Sequence, residues 1–261
     1  MTLSIKNIWK SLCDEADELA ASEPLLKSYY YCAVLQHDDF YQALAYQLSQ
    51  KLASRYVDEQ SLHQSFLNVY AQKPEIETHG LQDLLAYIDR DPACDTYLKP
   101  LLYFKGYLAI QSHRLAHEFW QQGRKLFALH LQSRSSKVFA VDIHPAAKLG
   151  AGLMFDHATG IVIGETAEVG NNVSMLHAVT LGGSGVVSGK RHPTIGEGVL
   201  ISVGAKLLGA IDIGEGVKIG GGSVVLGSIP DGGTVVGVPA RIIGSEGADL
   251  PAFSMDQYVR I

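Results

Sequence analysis

The sequence predicts an α+β chain, an all-helical N-terminal domain followed by a left-handed parallel β-helix of hexapeptide repeats. Three observations carry this. From residue 141 on, a large apolar residue recurs every six positions: Ile143, Leu149, Phe155 and Ile161, then, after a shift of two, Ile163, Val169, Met175 and Leu181. After an interruption the series resumes at Ile195, Ile201, Leu207, Ile213, Ile219 and Val225. A period of six fits neither the 3.6 of a helix nor a heptad. Three hexads make one triangular turn of a β-helix, with the apolar residue pointing inward. Second, glycine often follows that residue, at Gly150, Gly164, Gly170, Gly182, Gly196, Gly214 and Gly220, where a sharp corner needs a small side chain. Third, of 27 glycines only Gly80, Gly106 and Gly123 precede residue 141, so the chain changes character there.

Taken in order, residues 1–138 read as a helical domain. Residues 4–19 place Ile5, Ile8, Trp9, Leu12, Ala16 and Leu19 at helical spacing, and Ser22-Glu23-Pro24 marks a stop and restart. The same pattern predicts helices over 24–35, 38–56, 59–71 and 81–88, the last ending before Pro92. Two long helices broken near Gly123 lead to the repeats. The β-helix domain spans 139–243. Residues 244–261 show no periodicity and are expected to form a flexible tail.

Composition narrows the function classes. A net charge of -6 argues against nucleic acid or an anionic membrane as partner. No window reaches the ~18 apolar residues of a membrane span. The start carries acids where a signal peptide needs an apolar run, so a cytoplasmic protein is expected. Cys13, Cys32 and Cys94 lack CxxC spacing, and the repeat region has no histidine pair five residues apart, so no metal is expected. His113 and His117 share a helix face, but Arg114 stands where a zinc-protease motif needs Glu, so they read as a helix-surface pair.

Two features point to chemistry. His157, in Asp156-His157-Ala158-Thr159-Gly160, is the best candidate for a general base; imidazoles titrate near ~6.5, so the neutral form is available at cell pH. Between Leu181 and Ile195 the period is broken by a Gly-rich insertion ending in Lys190-Arg191-His192. Rigid scaffolds place functional groups on such loops, and an arginine there can fork onto a carboxylate. Asp142 lies fifteen residues before His157; read alone, it fits an N-terminal cap as well as a partner to that histidine. His177, twenty residues after His157, occupies the equivalent corner one coil on and reads as a site-wall or interface residue.

The runs VDIHPAAKLGAGLMFDHATGIVIGETA, VTLGGSG, KRHPTIGEGVLISVGAK and GVPARIIG, together with IDRDPACDTYLKPLLYFKGYLAIQSHR, resemble the serine acetyltransferase family. The combination of DHATG, RDPA and RHP is far more specific than hexads alone, which would fit any acyltransferase of this fold. The resemblance implies transfer of acetyl from acetyl-CoA to the hydroxyl of L-serine, the first step of cysteine synthesis. It implies His157 as base with Asp142 as its partner carboxylate, Arg191 and His192 on the serine carboxylate, and Asp91 and Asp156 on its ammonium. For CoA it implies backbone contacts at Gly183, Val203 and Gly221, with Lys218 and then Arg241 toward phosphates. Val203 departs from the small residue usual there. The family further implies a homotrimer or dimer of trimers, inhibition by L-cysteine, and capture of a terminal isoleucine, here Ile261, by cysteine synthase.

Overall fold

The computed structural model describes residues 5–185, 188–245 and 250–259. It divides into two compact units, Met1–Phe104 and Lys105–Ile261. The change from helix to strand does fall near residue 139, but the last two long helices belong to the second unit. They pack on each other and on the first strand, so composition and contact divide the chain at different places.

The first unit is helical: α1 (Ile5–Ser22), α2 (Lys27–Tyr30), α3 (Phe40–Leu52), α4 (Glu59–Gln72), α5 (Pro74–Arg90) and α6 (Leu98–Leu102). Its core is built on fully buried apolar faces, with Leu12, Leu44, Leu48, Phe66, Leu84 and Leu101 at 0–1% exposure. Sequence-local caps set the starts: Asp39 accepts the Gln42 N–H at 2.9 Å and Asp58 the Ser61 N–H at 2.8 Å. The expected helix over 24–35 is broken into a 3-10 turn at Pro24–Leu26, α2, and a π turn at Tyr31–Leu35. The expected 81–88 helix starts earlier, because Pro74 occupies a first-turn position where its missing N–H costs nothing.

In the second unit α7 (Lys105–Gln121) and α8 (Lys125–Phe139) form a hairpin turned at Gly123, whose φ is +78°. The β-helix follows. Its first coil is β1 (Val141–Ile143), β2 (Lys148–Leu149) and β3 (Met154–Phe155), and its second β4 (Ile161–Ile163), β5 (Glu168–Val169) and β6 (Ser174–Met175). Next come β7 (Thr180–Gly182), β8 (Thr194–Ile195) and β9 (Leu200–Ile201), then β10 (Lys206–Leu208), β11 (Asp212–Ile213) and β12 (Lys218–Ile219). The last coil holds β13 (Val224–Val225) and β14 (Gly233–Gly237), and β15 (Ala240–Ser245) returns antiparallel to β14. Three parallel faces result, with orders β1-β4-β7-β10-β13, β2-β5-β8-β11 and β3-β6-β9-β12-β14.

The inward ladders follow the hexads except at the first coil, where Ile143 pairs with Ile163 and the Ile161 that three hexads would reach pairs with Val141. Ile143, Ile163, Leu181, Leu207 and Val225 stack on one face, and Phe155, Met175, Ile201, Ile219 and Val235 on another. Burying each such side chain contributes about 1.5–3 kcal/mol. The two-residue register shift between Phe155 and Ile163 swells the corner that carries His157. The longer interruption is a loop between β7 and β8, after which Ile195 resumes the ladder on Val169.

Within the stretch expected to be a flexible tail, residues 250–259 are described. A short helix, α9 (Pro251–Ser254), seats Pro251 and Ala252 in buried positions against the β-helix wall. The Ala252 N–H donates to Gly198 O at 3.2 Å, and Ser174 Oγ donates to Ala252 O at 3.1 Å. Leu250 lies directly over Gly198 and Gly216, so the small residues of successive coils form a seat for it. Periodicity could not reveal this, because the complement lies on other coils. Ile261 lies outside the described residues.

Candidate active site

The β-sheet register places four of the predicted residues in one column. Counting two residues beyond the stacked Phe155, Met175, Ile201 and Ile219 gives His157, His177, Val203 and Gly221, the same corner on four successive coils. Backbone bonds tie the corner together: Ala178 N–H to Thr159 O at 2.8 Å, Gly204 N–H to His177 O at 3.0 Å, and Gly222 N–H to Val203 O at 2.8 Å. His157 has φ +54° and Ala158 φ +55°, left-handed conformations that non-glycine residues adopt only under constraint. The turn throws the His157 side chain outward, 75% exposed. Its Nε2 lies 3.7 Å from Asp156 Oδ2, and its ring centroid lies 5.9 Å from that of His177 at 74°.

Asp142 faces outward from β1, half-buried, and its Oδ1 accepts a 2.6 Å hydrogen bond from Gln132 Nε2 on α8. The His157 ring meets Asp156 and His177. Asp142 is instead held by Gln132. Lys105, at the start of α7, donates to the Thr159 hydroxyl beside this corner.

The second cluster lies at the corner after β4, under the inserted loop. Arg191 forms an ion pair with Glu165, and that guanidinium holds the Glu165 carboxyl below the usual range. His192 is buried at 8% exposure, and burial first, then the Arg191 charge, lowers its pKa. Its ring lies against Gly164, where any Cβ would overlap Nε2 and Cδ2. Thr166 joins loop to coil: its hydroxyl accepts the N–H of Arg191 at 3.0 Å and of His192 at 3.1 Å. Glu165 and Thr166 were not singled out from sequence. The available signal was their place, two and three residues after an inward Ile163, opposite the only large break in the period.

Of the remaining predicted residues, Gly183 opens the inserted loop, and a Cβ there would lie 3.2 Å from His192 Nε2. Val203 and Gly221 touch across coils, a Cβ on the glycine falling 3.4 Å from Val203 Cγ1. Lys218 projects from the face that the C-terminal segment covers. It is 2% exposed, and its Nζ donates to Tyr258 O at 2.7 Å and to Asp256 Oδ2 at 3.4 Å. Arg241 is exposed at the rim of a cavity of ≈ 560 Å³ on the last coil, lined by Leu226, Ile229 and Pro239 among others. Asp91, in the first unit, closes the turn after α5: its Oδ1 accepts the Ala93 N–H at 2.9 Å.

His113 and His117 are not a helix-surface pair. His113 is 5% exposed and burial drives its pKa well down, while His117 Nδ1 meets Pro145 O at 2.7 Å. Together with Arg114, which donates to Gly150 O at 2.7 Å, they fasten α7 to the first coil.

Comparison with known proteins identifies close relatives of the chain. The family model described as "Serine acetyltransferase, N-terminal" matches residues 8–112. A curated relative from Salmonella typhimurium, named serine acetyltransferase, is 49% identical over 251 residues, covering 96% of this chain and 92% of its own. A solved serine acetyltransferase in complex with cysteine superposes with a TM-score of 0.96 at 47% identity, covering 98% of this chain and 100% of that one. The serine acetyltransferase of Brucella abortus in complex with coenzyme A gives a TM-score of 0.91 at 50% identity, covering 92% and 96%. With identity near one half across almost the whole chain, and the same helices and coils in the same order, this chain belongs to the serine acetyltransferase family.

Proposed function

We propose that the chain transfers the acetyl group of acetyl-CoA to the side-chain hydroxyl of L-serine, giving O-acetyl-L-serine and CoA, the first step of cysteine synthesis. The observation that carries this reading is the corner column. An exposed imidazole at a left-handed turn stands in line with the backbone of Val203 and Gly221 on the coils above it. Neighbouring strands lie ~4.8 Å apart, so three coils span roughly 15 Å, enough for a pantetheine arm to run along the column to His157.

His157 then takes the serine hydroxyl proton, and the oxygen attacks the thioester carbonyl. The tetrahedral adduct collapses, the C–S bond breaks, and the proton passes to the departing sulfur. Asp142 orients the imidazole and stabilises its charged form. In doing so Asp142 exchanges its bond to Gln132 for the imidazole. Asp156 meets the serine ammonium, with Asp91 added by the family resemblance. Arg191 and His192 meet the carboxylate. Glu165 occupies the Arg191 guanidinium until a substrate carboxylate replaces it. Gly183, Val203 and Gly221 contact the pantetheine amides, and Lys218 and Arg241 face phosphates, Lys218 after release from Asp256 and Tyr258.

The placement of the two clusters favours a homotrimer, or a dimer of trimers. His157 and Arg191 belong to different corners of the prism, and a six-residue side at ~3.3 Å per residue spans up to about 20 Å. One serine cannot bridge that span, so the His157 corner of one copy works against the Arg191 corner of another. L-cysteine differs from L-serine by sulfur for oxygen and fits the same groups as an inhibitor. Ile261 remains the candidate contact to cysteine synthase. The deciding experiment measures free CoA thiol released from acetyl-CoA with L-serine, homoserine or an aminosugar. Release with L-serine alone supports the reading; release only with another acceptor rejects it.

A further inference from the structure

Thr166 holds three successive residues of the inserted loop. Its hydroxyl oxygen accepts the N–H groups of Arg191 and His192, at 3.0 and 3.1 Å, which uses both lone pairs. Its hydroxyl hydrogen is left for His192 Nδ1, 2.8 Å away. Its own N–H donates to the same Nδ1 at 3.2 Å, and its carbonyl accepts Lys190 Nζ at 2.9 Å.

The chemistry of the ring follows from one fixed donor. A backbone N–H can only donate, so Nδ1 must be the accepting nitrogen. His192 is thereby the neutral tautomer with its proton on Nε2. Burial and the neighbouring Arg191 and Lys190 charges favour the same uncharged state, opposed by Glu165; His144 also faces the ring. Nε2–H lies beside Gly183 at the mouth of the loop, the side on which Arg191 emerges.

We propose that Thr166 is the positioning residue of the carboxylate subsite: it locks His192 as an Nε2–H donor and sets the backbone from which Arg191 projects. The proposal rests on the reading of Arg191 and His192 as the residues that meet the serine carboxylate. Its specific content is that one hydroxyl, on a coil corner and outside the loop, makes those two groups act as a unit.

The test uses the full-length chain, 15N-labelled at histidine. In the wild-type protein the His192 Nδ1 resonance should be that of an unprotonated nitrogen, with the proton on Nε2; a proton on Nδ1 overturns the proposal without any variant. Thr166→Val keeps the shape but leaves two loop N–H groups without their acceptor. It should populate the second tautomer and raise KM for L-serine about 10- to 100-fold, the range for unmaking buried hydrogen bonds. KM for acetyl-CoA should be unchanged and kcat within about threefold, and Thr166→Ser, which restores the hydroxyl, should recover most of the serine affinity. A Thr166→Val protein with wild-type tautomer and wild-type serine KM overturns the proposal. A changed tautomer with an unchanged serine KM overturns the positioning role, provided Arg191→Ala does raise that KM. If Arg191→Ala leaves serine KM unchanged, the substrate reading itself fails.

Discussion

The Nε2 and Cδ2 atoms of the His192 imidazole lie so close to Gly164 that the two residues, 28 positions apart in sequence, leave no room for a single Cβ between them. Gly164 has no positive φ, so the glycine is required here by contact and not by backbone conformation. Gly164→Ala should therefore leave the coil intact and push the ring off its seat. The expected outcome is a rise of at least tenfold in serine KM, with acetyl-CoA KM unchanged. Overpacking of this kind also costs about 1–3 kcal/mol of stability, readable as a lowered Tm. Unchanged kinetics would detach His192 from substrate binding.

At the other corner, His157→Asn should lower kcat by ~10²–10⁴, the usual worth of a positioned base, with little change in acetyl-CoA affinity. Asp142→Asn should cost less, because the role proposed for that carboxylate is to orient the base and not to abstract the proton. Steady-state kinetics at saturating acetyl-CoA decide this. A His157→Asn enzyme with near wild-type kcat removes the assignment.

In the proposed function Arg191 meets a carboxylate common to serine and cysteine. Arg191→Ala should weaken serine binding and cysteine inhibition together, and cysteine should compete with serine in the parent enzyme. Separate titrations of the two amino acids provide the check: loss of one affinity with the other intact would refute a shared subsite.

Buried histidines should make the fold acid-sensitive. His113 is buried, and burial lowers its pKa well below the ordinary 6.5; burial also lowers His37, His144 and His192. Above about pH 6.5 these groups are neutral whether the chain is folded or not, and they add no pH dependence. Below it the unfolded chain takes up protons that the native protein refuses, so stability falls as pH drops toward the native values. The slope is at most about 1.4 kcal/mol per pH unit for each such group. Urea midpoints between pH 7.5 and 5.5 should fall accordingly, and His113→Gln should make the slope shallower. An equal slope in that variant would assign the sensitivity to other groups.

The C-terminal segment sits on Lys218. Ending the chain at residue 249 removes Asp256 and Tyr258 from its ammonium and uncovers the seat at Gly198 and Gly216. The shortened enzyme should bind acetyl-CoA more tightly, with a lower KM, and melt a few degrees earlier through lost burial of Pro251 and Ala252. Lys218→Ala in that background should abolish the gain. An unchanged acetyl-CoA KM on shortening would mean that Lys218 does not face a CoA phosphate.

Much of the fold was legible because hexad periodicity is a local, repeated signal. Most inward residues sit six positions from the next, so Ile163 and Leu181, three hexads apart, could be aligned before any strand was seen, whereas the shift and the inserted loop make the steps from Ile143 to Ile163 and from Leu181 to Leu207 longer. The helices α1 and α4 were legible for the same reason, from apolar spacing that survives without tertiary help. The splitting of the 24–35 segment was not, because a π turn reflects packing and not composition. The site was only partly legible. His157 and Arg191 stand at the two places where the period is disturbed, so their positions flag them. Thr166, Glu165 and Gln132 lie in undisturbed stretches and carry no such mark.

The sequence by itself determined the β-helix, its register, the helical first part and the disturbed corners, because each depends on neighbours a constant few residues apart. Only the tertiary structure decided what the corners and faces meet: Gln132 on Asp142, Thr166 beneath the Arg191 loop, His113 of α7 buried against the first coil, and the C-terminal segment over Lys218. These pairings join residues 10 to 40 positions apart whose spacing follows no period. They exist because stacking coils at a fixed ~4.8 Å brings distant side chains onto one face, where geometry and hydrogen-bonding capacity, not local propensity, select the partner.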